Sequence, residues 1–195
     1  MTTLKINIVK IFVFLFSVLL LTLSSCAGKE TNTAQKKDEK AVVEKPKMDI
    51  HTAVVSNNLE AVQQHIAAGS DLNVQEPMSK STPLMTASTF NRIEIAKALI
   101  NANADLTIKN NDGSTALHTA AFFGRIEIVQ LLIDAKIDKS VKNNFGVTAR
   151  ESLLADFAEM KPIYEMFSAQ LQPMGFTLDL EELKKARPVI ALMLQ

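Results

Sequence analysis

In 195 residues the chain has no tryptophan, one tyrosine (Tyr164) and one cysteine (Cys26). A lone cysteine excludes any disulfide within the chain, and with it a disulfide-stapled fold. An excess of one charge is also missing: 21 Lys plus Arg balance 21 Asp plus Glu. Without segment 1–25, which holds Lys5 and Lys10 and no acid, the balance is 19 minus 21, or −2. Duplex nucleic acid needs a concentrated basic surface, so no nucleic-acid partner is expected. There is no H-E-x-x-H, cysteine pair or acidic calcium loop, so no metal set is expected. The few glycines punctuate turns instead of forming a phosphate-cradling loop, so no cofactor is expected either. No serine lies in the Gly-x-Ser-x-Gly setting of a nucleophile elbow.

Long apolar runs are scarce too. The chief one, Ile11 to Leu23, is broken by Ser17 and Thr22. As a helix it would reach roughly 20 Å, short of a ~30 Å hydrocarbon core. Behind Lys5 and Lys10 it reads as the apolar centre of a signal peptide over residues 1–25. Leu23-Ser24-Ser25-Cys26 follows: an aliphatic residue, two small ones, then cysteine. This resembles the bacterial lipobox. The resemblance implies cleavage before Cys26 and acyl chains such as palmitate on that residue, anchoring a lipoprotein to a membrane. The plainer alternative is an uncleaved anchor with an incidental cysteine. Ala27, next in line, resembles the outer-membrane sorting signal of enteric bacteria. The implied location is the cell envelope, facing the periplasm or the outside. Residues 26–47 are rich in Lys, Glu, Asp, Gln, Thr, Asn and Ala. They have too little apolar surface to offset the entropy of ordering, so they read as a disordered tether with a reach of about 25 Å.

The rest of the chain repeats. Ser81 to Ile100 reads S-T-P-L-M-T-A-S-T-F-N-R-I-E-I-A-K-A-L-I, and Ser114 to Ile133 reads S-T-A-L-H-T-A-A-F-F-G-R-I-E-I-V-Q-L-L-I. Thr82, Thr115 and Thr148 recur at one constant spacing. A fixed period of about 33 residues marks stacked units. The wording resembles the ankyrin repeat. The resemblance implies an all-α repeat solenoid of about four helix-turn-helix units over residues 48–170, with short β-hairpin loops. Residues 171–195 are then a C-terminal helical cap, with a partner-binding tail as the alternative.

Residue chemistry fits that reading. Thr caps the first helix of a unit, and Pro83 is tolerated in the first turn. Asn57, Asn91 and Gly124 close the first helix where a left-handed residue is wanted, and Gly69, Asn103 and Lys136 stand at the second such position. Ile93, Ile95 and Leu99 recur as Ile126, Ile128, Leu131 and Leu132 at helical spacing. Unit four, from Thr148, is degenerate, with its second helix expected around Ile163 to Phe167. Pro162 is expected to break or delay that helix. A short helix is expected from Asp179 to about Ala186, stopped by Arg187-Pro188. His51 and His118 occupy the family position where imidazole bonds backbone between units. His65 is expected at the surface.

The family resemblance implies a non-enzymatic interaction scaffold that binds another protein. The implied surface comprises Thr52, Val55, Thr86, Thr89, Phe90, Thr119, Phe122 and Phe123 on the first helices, with Asn111, Asp112, Asn144 and Phe145 on the loop tips. Two or three aromatics on one exposed face would form an interaction patch. The alternative is that Phe122 or Phe123 turns inward against unit four. Some bacterial ankyrin proteins support a stress-protection enzyme that removes peroxide, and this chain is similar in outline. An immunity protein that blocks a toxin is a second reading. A third is an envelope-polymer hydrolase using Asp156 and Glu159 or Asp179, Glu181 and Glu182. Against the third stands the ordinary role of such acids as helix caps and solvated surface.

Overall fold

The computed structural model describes residues 46–195. The expected signal peptide, Cys26 and the expected tether as far as residue 45 lie outside the described residues.

Three units follow one plan. The inner helices are α1 (Ile50–Val55), α3 (Pro83–Thr89) and α5 (Ala116–Phe122); the outer helices are α2 (Leu59–Ala67), α4 (Ile93–Asn101) and α6 (Ile126–Asp134). Local chemistry sets their ends. Asp49 accepts the Thr52 N–H at 3.0 Å, and Asn58 accepts that of Ala61 at 3.0 Å. Thr82 accepts from Met85 at 3.3 Å, with Pro83 in the first turn where no N–H is needed. Asn57, Asn91 and Gly124 have φ of 56°, 55° and 71°, and Asn103 and Lys136 have 61° and 60°, so the expected left-handed positions are real. Each inner helix packs on its own outer helix and on the next inner helix, and outer helices stack likewise. The core between the layers is aliphatic: Leu84, Ile95, Leu99, Leu117, Ile128 and Leu132 are fully buried. Each contributes about 2 kcal/mol of transfer free energy. No unit buries its own apolar face, so stability comes from stacking.

Histidines tie units together. His51 Nε2 donates to Val74 O at 3.0 Å in the next loop, and His118 Nε2 donates to Val147 O at 3.3 Å. The Thr115 N–H points at His118 Nδ1 (3.2 Å), which makes Nδ1 the acceptor and His118 neutral. The surface expectation for His65 fails. It is buried, with Nε2 2.8 Å from Met48 O and Nδ1 3.0 Å from the Ser70 hydroxyl. A polar residue on an outer helix is buried here because the chain entering unit one and the turn leaving it both close over the ring.

The projecting loops are tight turns, and no strand occurs among the described residues. Asn110 N–H bonds Ser114 O, and Asn143 N–H bonds Val147 O, both at 3.0 Å. Adjacent turns join through Asn111 N–H to Ser79 O and Asn144 N–H to Asp112 O, both at 2.9 Å. Side-chain amides add Asn111 Nδ2 to Met78 O at 2.6 Å and Asn144 Nδ2 to Asn111 O at 2.9 Å.

Unit four departs from the expected layout. Thr148 and Glu151 form a reciprocal capping box, with bonds of 2.8 and 3.2 Å, but the helix they open is a single 3-10 turn, Glu151–Leu153. The outer helix of this unit is α8 (Leu180–Met193), not the Ile163–Phe167 stretch. It packs beside α6, and Ala186, Ile190 and Leu194 join the main core with Ala149 and Leu153. Segment 154–179 is thus inserted between the two helices, where the other units use only the short connections 56–58, 90–92 and 123–125. The insert holds α7 (Phe157–Leu171) and a 3-10 turn, Gln172–Met174. Pro162 lies inside α7 and Pro188 inside α8, so neither proline breaks or ends its helix. Each frees the carbonyl four residues back, at Ala158 and Lys184. Both residues are exposed, so water can replace the lost bond. At the end of the stack α8 shows solvent Glu181, Lys184 and Lys185, the polar outer face a solenoid terminus needs.

Candidate interaction surface

The insert lies across the C-terminal ends of the inner helices. Phe90 and Phe123, 8% and 6% exposed, are buried there with Phe176. Phe122 is half-buried against Tyr164 and Phe167, with ring centroids 4.8 and 5.7 Å away. Phe176 stands edge-on to Phe90 at 5.9 Å and close to Phe123 at 5.3 Å. Each such pair is worth about 1 kcal/mol beyond area burial. The expectation that these phenylalanines form an exposed aromatic patch is therefore corrected. Both Phe122 and Phe123 face the insert, because unit four sends segment 154–179 back over them. Val55 is half-buried against the same cluster.

Three arginines organise this region, and none pairs with a carboxylate among the described residues. Arg92 Nη2 donates to Val55 O at 2.8 Å. Arg125 Nη2 donates to Thr89 O and to Thr177 O of the insert, both at 3.1 Å. The guanidinium of Arg125 also lies 5.5 Å from the Phe176 ring centroid. Burial and then the nearby charge of Arg92 push the Arg125 pKa down to about 10, which leaves it a cation at neutral pH. Arg187, buried on α8, donates to Tyr164 Oη at 2.6 Å, Leu153 O at 2.9 Å and Ala155 O at 2.5 Å, and so ties α8 to the start of the insert and to α7.

Other expected positions remain open. Thr52 is exposed, and Thr86, Thr89 and Thr119 are half-buried. At the loop tips Asp112 is exposed and Phe145 is 76% exposed, with no role in the turn except its N–H bond to Asn143. Asn111 and Asn144 are exposed too, but their amide donors are used between turns. The tip of the first turn adds Met78, which is 87% exposed and carries no repeat signal in the sequence. Tyr164, Phe167, Phe176 and Arg187 are further residues that sequence reasoning misses. A signal exists: of eight aromatics after Cys26, four (Phe157, Tyr164, Phe167 and Phe176) fall in the insert.

Two of the acids considered for hydrolysis, Asp156 and Asp179, act as caps, and Glu159, Glu181 and Glu182 are exposed on the helices. Asp156 accepts the Ala158 N–H at 2.7 Å, and Asp179 accepts those of Glu181 and Glu182 at 2.8 and 3.1 Å. Glu182 pairs with Lys185 at 2.9 Å. A shallow groove between the starts of α6 and α8 is lined by Asp179 and Glu182 among mostly apolar residues, and Asp156 is not part of it.

Comparison with known families agrees with the repeat geometry. Residues 50–143 match the family model of ankyrin repeats, in three copies. No curated protein sequence matches the chain. The repeats are thus of ankyrin type, in a helical solenoid, and indicate a protein–protein interaction module.

Proposed function

We propose that these ankyrin repeats serve as a non-enzymatic binding module held at the bacterial cell envelope by an acylated Cys26, where they support a stress-protection enzyme. The observations that carry the binding surface are the row of Thr52, exposed, with Thr86 and Thr119, half-buried, and the exposed tips Met78, Asp112 and Phe145. This row presents side chains from three successive units, while the apolar core behind it is closed. The envelope tether rests on Lys5 and Lys10, the short apolar run and Leu23-Ser24-Ser25-Cys26. The partner's role rests on the family resemblance.

Two measurements test the proposal. Cells fed a fatty-acid analogue are expected to label the wild type and not Cys26→Ala; equal label in both removes the lipid anchor. The full chain is then cross-linked in its native envelope beside the triple variant Thr86→Arg, Thr119→Arg, Phe145→Ser. An endogenous enzyme recovered with wild type and lost with the variant supports the reading. A cognate toxin in its place favours an immunity role. A partner retained by the variant shows that another surface binds.

A further inference from the structure

The aromatic cluster beneath the insert has the features of a recognition site already filled. Phe176 inserts its ring between Phe90 and Phe123, which come from two successive units. The next residue, Thr177, presents its backbone carbonyl to Arg125 at 3.1 Å. An aromatic anchor together with a donor to the adjacent main-chain carbonyl is how a surface grips a short peptide, here one that turns at Gln172–Met174 and Gly175 before presenting its ring. This cluster is also separate from the aliphatic core of the stack, so its occupant can leave without opening that core.

Charge shows what the occupant lacks. Arg92 and Arg125 stand together with no carboxylate partner, and the Nε of each is buried without a hydrogen bond among the described residues. Residues 172–178 carry no acid to meet them. At Gly175 a Cβ would lie 4.0 Å from Arg92 Nη2, so an acidic side chain at that place reaches the guanidinium, and the charge contact must outweigh the strain of a side chain at φ 79°, which Asp bears better than most residues.

We propose that the inner-helix ends of units two and three are a peptide site for a short turn-forming segment of a partner protein, with an acidic residue just before an aromatic one, and that residues 172–178 occupy the site in cis until such a segment displaces them. The proposal rests on the reading of the chain as a protein-binding module and adds a second, occluded surface to it.

The test needs no envelope partner, so its failure and the failure of that reading are distinguishable. The probe is a fluorescein-labelled peptide with the sequence of residues 171–179, plus a second peptide with Asp at the position of Gly175. Each is titrated by anisotropy against the full chain, wild type and Phe176→Ala. Wild type is expected to bind about tenfold more weakly than Phe176→Ala, because only the fraction with the strap displaced is competent. The Asp peptide should bind more tightly than its parent, lose that advantage with added salt, and lose it in Arg92→Gln. Equal binding by wild type and Phe176→Ala overturns the proposal, and so does a peptide that keeps its affinity when its phenylalanine becomes alanine. If Phe176→Ala does not fold, hydrogen exchange on wild type decides. Amides 172–178 should exchange faster at saturating Asp peptide; unchanged exchange overturns the displacement.

Discussion

Arg187 and Tyr164, far apart in sequence, meet at 2.6 Å inside unit four, guanidinium to phenol, with no carboxylate between them. The same guanidinium holds the Leu153 and Ala155 carbonyls, where the chain leaves the stack for the insert. Removing it leaves two buried acceptors, Tyr164 Oη and the Leu153 carbonyl, and the part-buried Ala155 carbonyl without this donor. Arg187→Ala should therefore cost about 3 kcal/mol of stability in urea unfolding. Arg187→Lys should recover less than half of that, because an ammonium cannot span these acceptors as the planar fork does.

Gly124 is constrained twice. Its φ is 71°, and a Cβ there would sit 2.7 Å from Leu183 Cδ1 on α8. Gly69 has a similar φ, 67°, with open space around it. Gly69→Ala should cost about 1 kcal/mol from backbone strain alone. Gly124→Ala should cost about 2–3 kcal/mol, since it also pushes α8 off α6. Equal losses in chemical denaturation would show that α8 yields to the added methyl group.

Lys136 carries the strain in the other direction. It adopts φ of 60°, where a Cβ is disfavoured. Lys136→Gly should raise stability by about 0.5–1 kcal/mol, read as a higher urea midpoint with unchanged slope.

Histidine supplies a pH dependence. Burial, the largest cause, holds the His118 pKa below its ordinary value, and a nearby Lys109 charge adds to this. The folded state thus keeps the ring neutral, with Nδ1 accepting from Thr115. Its contribution is complete above the unfolded pKa of about 6.5 and is lost as pH falls from there toward the lower folded value. The urea midpoint of wild type should drop more between pH 7.5 and 5.5 than that of His118→Gln. A parallel drop in both removes His118 as the cause.

Much of the solenoid is legible in the chain itself. The fixed period locates six helices, and the left-handed positions Asn57, Asn91, Asn103 and Lys136 follow from where a Gly-like residue is needed. Unit four is not legible, because the repeat pattern places its second helix directly after its first. Proline at 162 and 188 then looks like punctuation, since what softens a proline is an exposed carbonyl one turn back, and exposure is a tertiary property. The binding face suffers from the same limit. Phe90 and Phe123 occupy positions that are open in an uncovered repeat, and here their cover comes from Phe176, one or more units further along the chain. His65 is misplaced because its cover, Met48 O and the Ser70 hydroxyl, leaves no mark in the pattern of its own helix.

The split unit also has a kinetic side. Bringing α8 onto the Glu151–Leu153 turn closes the long gap 154–179, where every other inner–outer pair closes a connection as short as 56–58. Roughly three doublings of loop length add about 2 kcal/mol of closure entropy to that step. The first three units can therefore assemble from local contacts while Ile128 and Leu132 still wait for Ala186 and Ile190. Such an intermediate exposes one apolar flank of α6 for as long as the detour through α7 takes to settle. In quench-flow refolding, amides of α8 should gain protection after those of α3 and α4.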